Sequence, residues 1–399
     1  MDPSDEQGGQ SSSPDKNNAS REEIGSPYVD GNDSHAPLPV LPQAPTNCFS
    51  REEIVNEVLD LTDQVASIAL FGSIGVGKSF VALTLLHHNR TRAKFGRNRH
   101  FMRCDNLTNS LEGFLGCLSD AILTNHTTNI AQLRSYLESS PPLILLLDGV
   151  DLLLDPLAPE AEEISATIEE FGSYEHVCLV TTSRMYPDTH GFHWVEIPTL
   201  SEDGARETFY SLCDLERSSA VDDLIARLDF HPLSINLLAS FVYENDWDES
   251  MLLRAWDDDQ TSLPKTSYYK RLEDAVESSL WSPTIKGLGA MARDALEAIA
   301  VSPCGVEESM LDSTSSEIAG IGVVVAVLYK FSLLYREDGL VKVPSPFRFY
   351  FMSSIRTAAS ATGSDTALDQ PTDGNTPLPP CFPSTAGPFV SLYLSAGLV

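Results

Sequence analysis

Gly72-Ser73-Ile74-Gly75-Val76-Gly77-Lys78-Ser79 is a complete Gly-x-x-x-x-Gly-Lys-Ser. A continuous apolar run, Val65 to Phe71, precedes it and reads as a buried strand; a helical pattern from Lys78 to about His88 follows. Strand, glycine loop and helix in that order make a phosphate-binding loop. Glycines let successive backbone N–H groups turn inward, and the helix N-terminus adds about half a positive charge facing the phosphates. Lys78 is expected to bridge phosphate oxygens and the Ser79 hydroxyl to ligate Mg²⁺, with the residues from Gly72 to Gly77 as the cradle.

Working outward, Leu143-Ile144-Leu145-Leu146-Leu147-Asp148-Gly149-Val150-Asp151 is a second buried strand that ends on a carboxylate. An aspartate at such a strand tip is where a phosphate-loop enzyme holds its Mg²⁺, which assigns Asp148 to the metal. Asp151 would either orient the attacking water or cap the next helix. Val177-Cys178-Leu179-Val180-Thr181-Thr182-Ser183-Arg184 is a third strand, also ending in polar residues. Ligands of parallel sheets sit beyond the carboxyl ends of the strands, so Arg184 is either a reader of the terminal phosphate or a surface loop arginine. The catalytic candidates are thus Asp148, Asp151 and Arg184.

The rest of the pattern agrees. Phe101 to Cys104 reads as a strand, and Leu111 to Leu123 and Ala131 to Leu137 as helices. Apolar strands separated by helices predict an α/β fold with a parallel sheet covered on both faces. Ser50-Arg51-Glu52-Glu53 is a capping-box signature opening a helix through about Leu61. After Pro198 the strands stop, and Ser201–Cys213, Ala220–Leu228, Pro232–Tyr243 and Glu249–Trp256 read as helices. Further on, Ser332 to Arg336 and Leu340 to Val343 flank Glu337-Asp338-Gly339, a hairpin signal.

The chain has 399 residues, enough for two or three domains, and a net charge of −31. So acidic a surface repels phosphate backbones and anionic membranes, which argues against nucleic-acid and membrane partners. The longest uncharged apolar run, Ile318 to Tyr329, is too short to span a bilayer. The polar, acidic first thirty residues carry no secretory signal, and seven scattered cysteines point to reduced thiols; a cytoplasmic protein is expected. Residues 1–46 and 359–399 are poor in large apolar side chains and rich in Ser, Pro and Gly, and read as a disordered acidic tail and a flexible Ser/Thr/Pro-rich tail. Arg90, Arg92, Lys94, Arg97, Arg99 and Arg103 form a basic cluster, read as a solvated loop or as a subunit contact. His87-His88 lacks partners at metal spacing and reads as a structural pair.

From Phe49-Ser50-Arg51-Glu52, through the Walker A loop, Asp148-Gly149-Val150-Asp151 and Thr182-Ser183-Arg184, to Phe230-His231-Pro232-Leu233, the chain resembles a STAND-type P-loop NTPase, the class of NB-ARC and NACHT domains in NOD-like receptors. The flavour resembles the fungal members. The resemblance implies an NTPase domain over 47–200, a helical domain over 201–285 and a winged-helix-like domain over 286–358. It implies an ATP- and ADP-binding signalling switch with slow Mg²⁺-dependent hydrolysis, homo-oligomeric with ATP, working with effector or sensor proteins. Arg184 would be the sensor, and Pro232 would lie against the adenine or ribose. The chain departs from the family pattern at Ser50 and Phe230, where glycines are usual, at Leu152, where an acid often follows, and at Pro344-Ser345-Pro346-Phe347-Arg348, which stands in place of Met-His-Asp. Two rival readings are a constitutive AAA+-type ATPase and a nucleotide-free scaffold.

Overall fold

The computed structural model describes residues 41–45 and 50–352, apart from 65–66, 106, 108–109, 124–127, 187–190, 259–272, 275, 278–279, 281, 303–304, 308–309 and 312–319. The aliphatic runs form strands because both their faces are covered. In β3 (Leu143–Asp148) the side chains of Ile144 and Leu146 enter one buried cluster, and those of Leu143, Leu145 and Leu147 enter another. The first cluster is completed by α1 (Glu52–Thr62) and α2 (Lys78–His87). The second is completed by α4 (Leu111–Leu123), α5 (Ile130–Ser139) and α6 (Ala161–Gly172). A period-two strand with apolar residues at every position has no water-facing side, which is why the run is unbroken.

The sheet is five-stranded and parallel in the order β2-β3-β4-β1-β5, with β1 (Ser67–Phe71), β2 (Arg99–Arg103), β4 (Val177–Ser183) and β5 (His193–Glu196). β4 lies between β1 and β3, pairing Phe71 with Ser183 and Asp148 with Thr182. The loops after these three strands therefore converge on one edge of the sheet.

Four helices follow, α7 (Glu202–Leu212), α8 (Ser219–Ala226), α9 (Pro232–Glu244) and α10 (Glu249–Asp258), packed around Phe209, Leu224, Ile235 and Leu252. Ser201 and Ser218 cap the first two, accepting from the N–H groups of Gly204 and Val221, and Pro232 begins the third. The C-terminal unit holds α11 (Pro283–Gly287), α12 (Ala290–Ala300), β6 (Val306–Glu307), α13 (Ile321–Lys330) and the hairpin β7 (Tyr335–Glu337)–β8 (Leu340–Lys342). Its small antiparallel sheet has the order β6-β8-β7. The hairpin turns on Asp338 and Gly339, both at positive φ (51° and 80°), as its sequence predicts.

Several expectations are corrected. The capping box does not form: Ser50 sits at φ 53°, its hydroxyl pairs with that of Ser201, and Arg51 holds the N-cap position with no side-chain cap. The basic stretch after His88 is not a loop but a short helix, α3 (Asn89–Phe95). Two of its three charges are paired locally, Arg90 with Asp60 and Asp63 and Lys94 with Asp63, because the acidic end of α1 lies beside it. His88 caps that helix and His87 bonds the Pro42 carbonyl. Leu41, from the segment expected to be disordered, packs against the α1–α2 core, an anchor that composition averaged over 46 residues hides. Apart from residues 41–45, both expected tails lie outside the described residues. Among those residues, no helix is long and apolar enough to cross a membrane.

Candidate functional site

The glycine loop is built as its spacing predicts, and the helical region presses on it. Gly77, at φ 106°, is the N-cap of α2, a conformation that would strain any side-chain-bearing residue. Gly75, at φ 70°, lies so close beneath Leu233 that an added Cβ would stand 2.5 Å from the Leu233 Cβ. Arg51 is buried behind the loop, donating to the carbonyls of Val76 (2.7 Å) and Pro198 (2.7 Å). Ile74 packs against the C-terminal core.

Lys78 Nζ donates to the carbonyls of Gly72 (2.8 Å) and Ser73 (2.9 Å), which leaves one of its three protons for a ligand. Burial pushes this ammonium down to about 8; Asp151 and Asp148 oppose the shift, and Arg184 adds to it. Ser79 Oγ donates to Asp148 Oδ1 at 2.6 Å, joining the loop to the tip of β3. Thr182 Oγ1 donates to the same oxygen at 2.7 Å and accepts from the Gly149 N–H at 2.8 Å. Two hard oxygen donors, a hydroxyl and a carboxylate, thus stand together at the helix N-terminus; this is the donor set Mg²⁺ prefers, and Ser79 and Asp148 would hold it.

Asp151 caps no helix. Its Oδ1 accepts from Ser183 Oγ (3.1 Å), the Arg184 N–H and the Met185 N–H (3.3 Å), and its Oδ2 lies 3.2 Å from Arg184 Nε. Burial alone would raise this carboxyl, but Arg184, Lys78 and the hydrogen bonds hold it below the usual carboxylate value. Asp148, Asp151, Arg184, Lys78 and Ser79 are therefore brought together. Pro232 opens α9 between two residues that touch the loop: Leu233 lies over Gly75, and His231 Nε2 is 3.2 Å from Ser73 Oγ. Burial, and then the cations Lys78 and Arg51, push His231 down to about 3, so the imidazole is neutral.

Three contributors escape a reading by motif. Thr182 was visible only as part of a strand. Arg51 carries a signal, its place before α1, but its partners lie 147 and 25 residues away. Asp155 is fully buried and accepts from Ser282 Oγ (2.6 Å) and Thr284 Oγ1 (2.6 Å) at the start of α11. Beside the loop, between Phe71–Ser73, Glu196–Thr199 and the β7–β8 hairpin, lies a cavity of about 840 Å³.

No family model and no curated protein matches this sequence. Among solved structures, a Walker-type ATPase of Pyrococcus abyssi superposes with a TM-score of 0.54 at 14 % identity, over 78 % of this chain and 98 % of that one. A STAND protein with a tetratricopeptide repeat sensor from Pyrococcus horikoshii reaches 0.34 at 14 % identity, over 77 % of this chain and 45 % of that one. The ORC1 protein of Aeropyrum pernix, solved with DNA, reaches 0.38 at 12 % identity, over 80 % and 96 %. The last two overlaps are too slight to carry weight. The first agrees with the sheet order and the loop geometry: this chain has the α/β fold of the P-loop NTPases.

Proposed function

We propose that the protein binds ATP and ADP with Mg²⁺ and acts as a STAND-type switch of slow turnover. The observation that carries this reading is the Ser79–Asp148 pair at 2.6 Å, set at the N-terminus of α2 beside the buried Lys78. When bound there, Mg²⁺ would neutralise charge on the phosphate oxygens. Lys78 and the loop N–H groups seat the phosphates, and Arg184 meets the terminal one.

The setting of Asp151 supports slow turnover. A general base works best with a pKa near the working pH, whereas this carboxylate is held low and already takes four donors. It anchors Arg184 better than it could activate water.

The switch reading rests on what lies past Arg184. Met185 is buried in the C-terminal core, and the Tyr186 N–H donates to the Lys330 carbonyl at 2.8 Å. Asp155, four residues after Asp151, ties the same edge to α11. On this reading residues 47–200 are the nucleotide domain, 201–285 its helical lid and 286–358 a winged-helix-like unit with the β7–β8 hairpin as wing, of the NB-ARC/NACHT kind. A homo-oligomer with ATP and an effector or sensor partner belong to the same proposal.

Calorimetric titration of the full chain with ATP and ADP, with and without Mg²⁺, tests it. Binding at micromolar strength with turnover well below about 1 s⁻¹ is expected. Turnover above that rate would favour an AAA+-type machine, and no binding at millimolar nucleotide would leave a scaffold.

A further inference from the structure

A seam of buried contacts joins the helical region to the C-terminal unit. Ser345, at the start of the helical segment 345–352 after β8, is fully buried. Its hydroxyl donates to the Leu228 carbonyl just past α8 (2.9 Å) and, having a single proton, accepts from Ser234 Oγ on α9 (2.7 Å). Three residues on, Arg348 donates to the Arg227 carbonyl (2.8 Å) and lies 3.7 Å from Asp229 Oδ2.

Apolar side chains cross the seam in both directions. Phe349 packs in the helical core, edge-on to the buried Trp256 with ring centroids 6.0 Å apart, while Phe347, Tyr350 and Phe351 stay in the C-terminal core. α9 answers in the opposite sense. Its Ile235, Leu238 and Ala239 face the helical core, and Leu233 and Leu237, one turn apart on the same stripe, pack against the C-terminal core. Each region thus places side chains in the other's core, and parting them would expose that surface to water.

The contacts with the nucleotide domain are of another kind, because they fall on residues beside the candidate phosphate site. His231 meets Ser73, Leu233 lies over Gly75, Met185 and Tyr186 follow Arg184, and Asp155 follows Asp151. A ligand shifts a conformational equilibrium only through interactions that differ between the two states. Nucleotide at the loop reaches this second set directly, whereas Ser234, Ser345, Arg348 and Phe349 lie outside the loop and the strand tips. Between the two sets the chain has a place to bend. Ile197 is buried in the nucleotide-domain core and Leu200 in the helical core, so the bend falls on Pro198 and Thr199.

We propose that the helical region and the C-terminal unit turn as one body, and that the switch opens between this body and the nucleotide domain. The proposal rests on the switch reading given above.

The test is the release rate of a fluorescent ADP analogue from two cross-linked full-length variants, each measured oxidised and again after reduction. Ser234→Cys with Ser345→Cys closes the seam, and Asp155→Cys with Ser282→Cys ties the body to the nucleotide domain. Oxygens 2.7 and 2.6 Å apart put both pairs within reach of a disulfide. Oxidising the seam pair should leave release within about twofold of the reduced form, and oxidising the other pair should slow it about tenfold or more. Slowing of that size by the seam pair would show that the two regions part, and overturns the proposal. Unchanged release with either cross-link would show that no such body gates the site, with the same consequence. Hydrogen exchange on the wild type covers a disulfide that fails to close. Residues 228–235 and 345–349 should exchange equally fast with ADP and with a Mg²⁺–ATP analogue, and a seam that loosens with one of them is not rigid. If wild type binds no nucleotide at all, it is the nucleotide reading that has failed.

Discussion

Arg184 Nε stands 3.2 Å from Asp151 Oδ2, and both side chains are largely buried (17 % and 11 % exposed). The pair joins the loop after β3 to the end of β4 beside Lys78, so any charge added in front of the loop competes with Asp151 for the guanidinium. On the proposed reading, only a triphosphate would place its terminal group there.

Arg184→Ala should therefore weaken ATP by about tenfold or more and leave ADP within about threefold of wild type. Arg184→Lys keeps the charge without the planar fork and should fall between. Calorimetric affinities for both nucleotides decide it; equal losses for ATP and ADP would remove the sensor role.

Lys78→Ala should weaken both nucleotides, by about ten- to a hundredfold, since on the proposed reading it removes a charge that faces the phosphates directly. The low value of about 8 adds a pH signature. Above it the free protein has lost part of the Lys78 proton, whereas phosphate favours the charged ammonium. Binding should then take up a proton at pH 8.5–9 and weaken further as pH rises, by up to about tenfold per unit. For folding the sign is opposite. The unfolded lysine stays protonated to about 10.5, so the native state gains relative stability as pH rises from about 8 to 10.5. Titrations in two buffers of different ionisation enthalpy measure the uptake; none in wild type would mean that Lys78 is not the titrating group.

Asp148→Asn keeps an oxygen for Ser79 and Thr182 to bond, so the fold should survive. The lost charge should abolish the Mg²⁺ dependence of binding and lower hydrolysis at least a hundredfold, with metal-free affinity nearly unchanged. Hydrolysis at the wild-type rate in this variant would exclude Asp148 as metal ligand.

Much of this was legible in the sequence because it is local. Gly72 to Ser79 is contiguous, and Asp148 is marked by the aliphatic run that buries its strand. The runs expected at 143–147 and 177–181 are strands, and the four helices after Pro198 fall where their periodicity puts them. What escaped is set by distance or by edges. β5 is an edge strand of four residues with Val195 alone buried and charged or exposed residues at both ends, so no apolar run announces it. Ser50 carries the residue types of a capping box, yet its positive φ turns it toward Ser201, 151 residues away. His231 becomes part of the site only because α9 brings it onto Ser73, 158 residues distant in the chain.

Asp155 is the strongest case of this kind. It is fully buried, and its partners Ser282 and Thr284 lie 127 and 129 residues away at the start of the C-terminal unit. Oδ1 also accepts the Leu157 N–H (2.9 Å) and Oδ2 the Thr284 N–H (3.3 Å), so each carboxylate oxygen faces a backbone donor that cannot turn away. In Asp155→Asn, whichever way the amide is placed, its NH₂ meets one of those donors and leaves it unpaired. That costs about 1–3 kcal/mol, measurable as a lower midpoint in urea. Ser282→Ala removes one partner of the same carboxylate, so the double variant should be less than additive by about 0.5 kcal/mol or more. If the contact also holds the C-terminal unit on the nucleotide edge, Asp155→Asn should release a fluorescent ADP analogue several-fold faster than wild type. A midpoint within about 0.5 kcal/mol of wild type would show that the contact does not hold the two regions together. A lower midpoint with an unchanged release rate would confine Asp155 to folding and take it out of the switch.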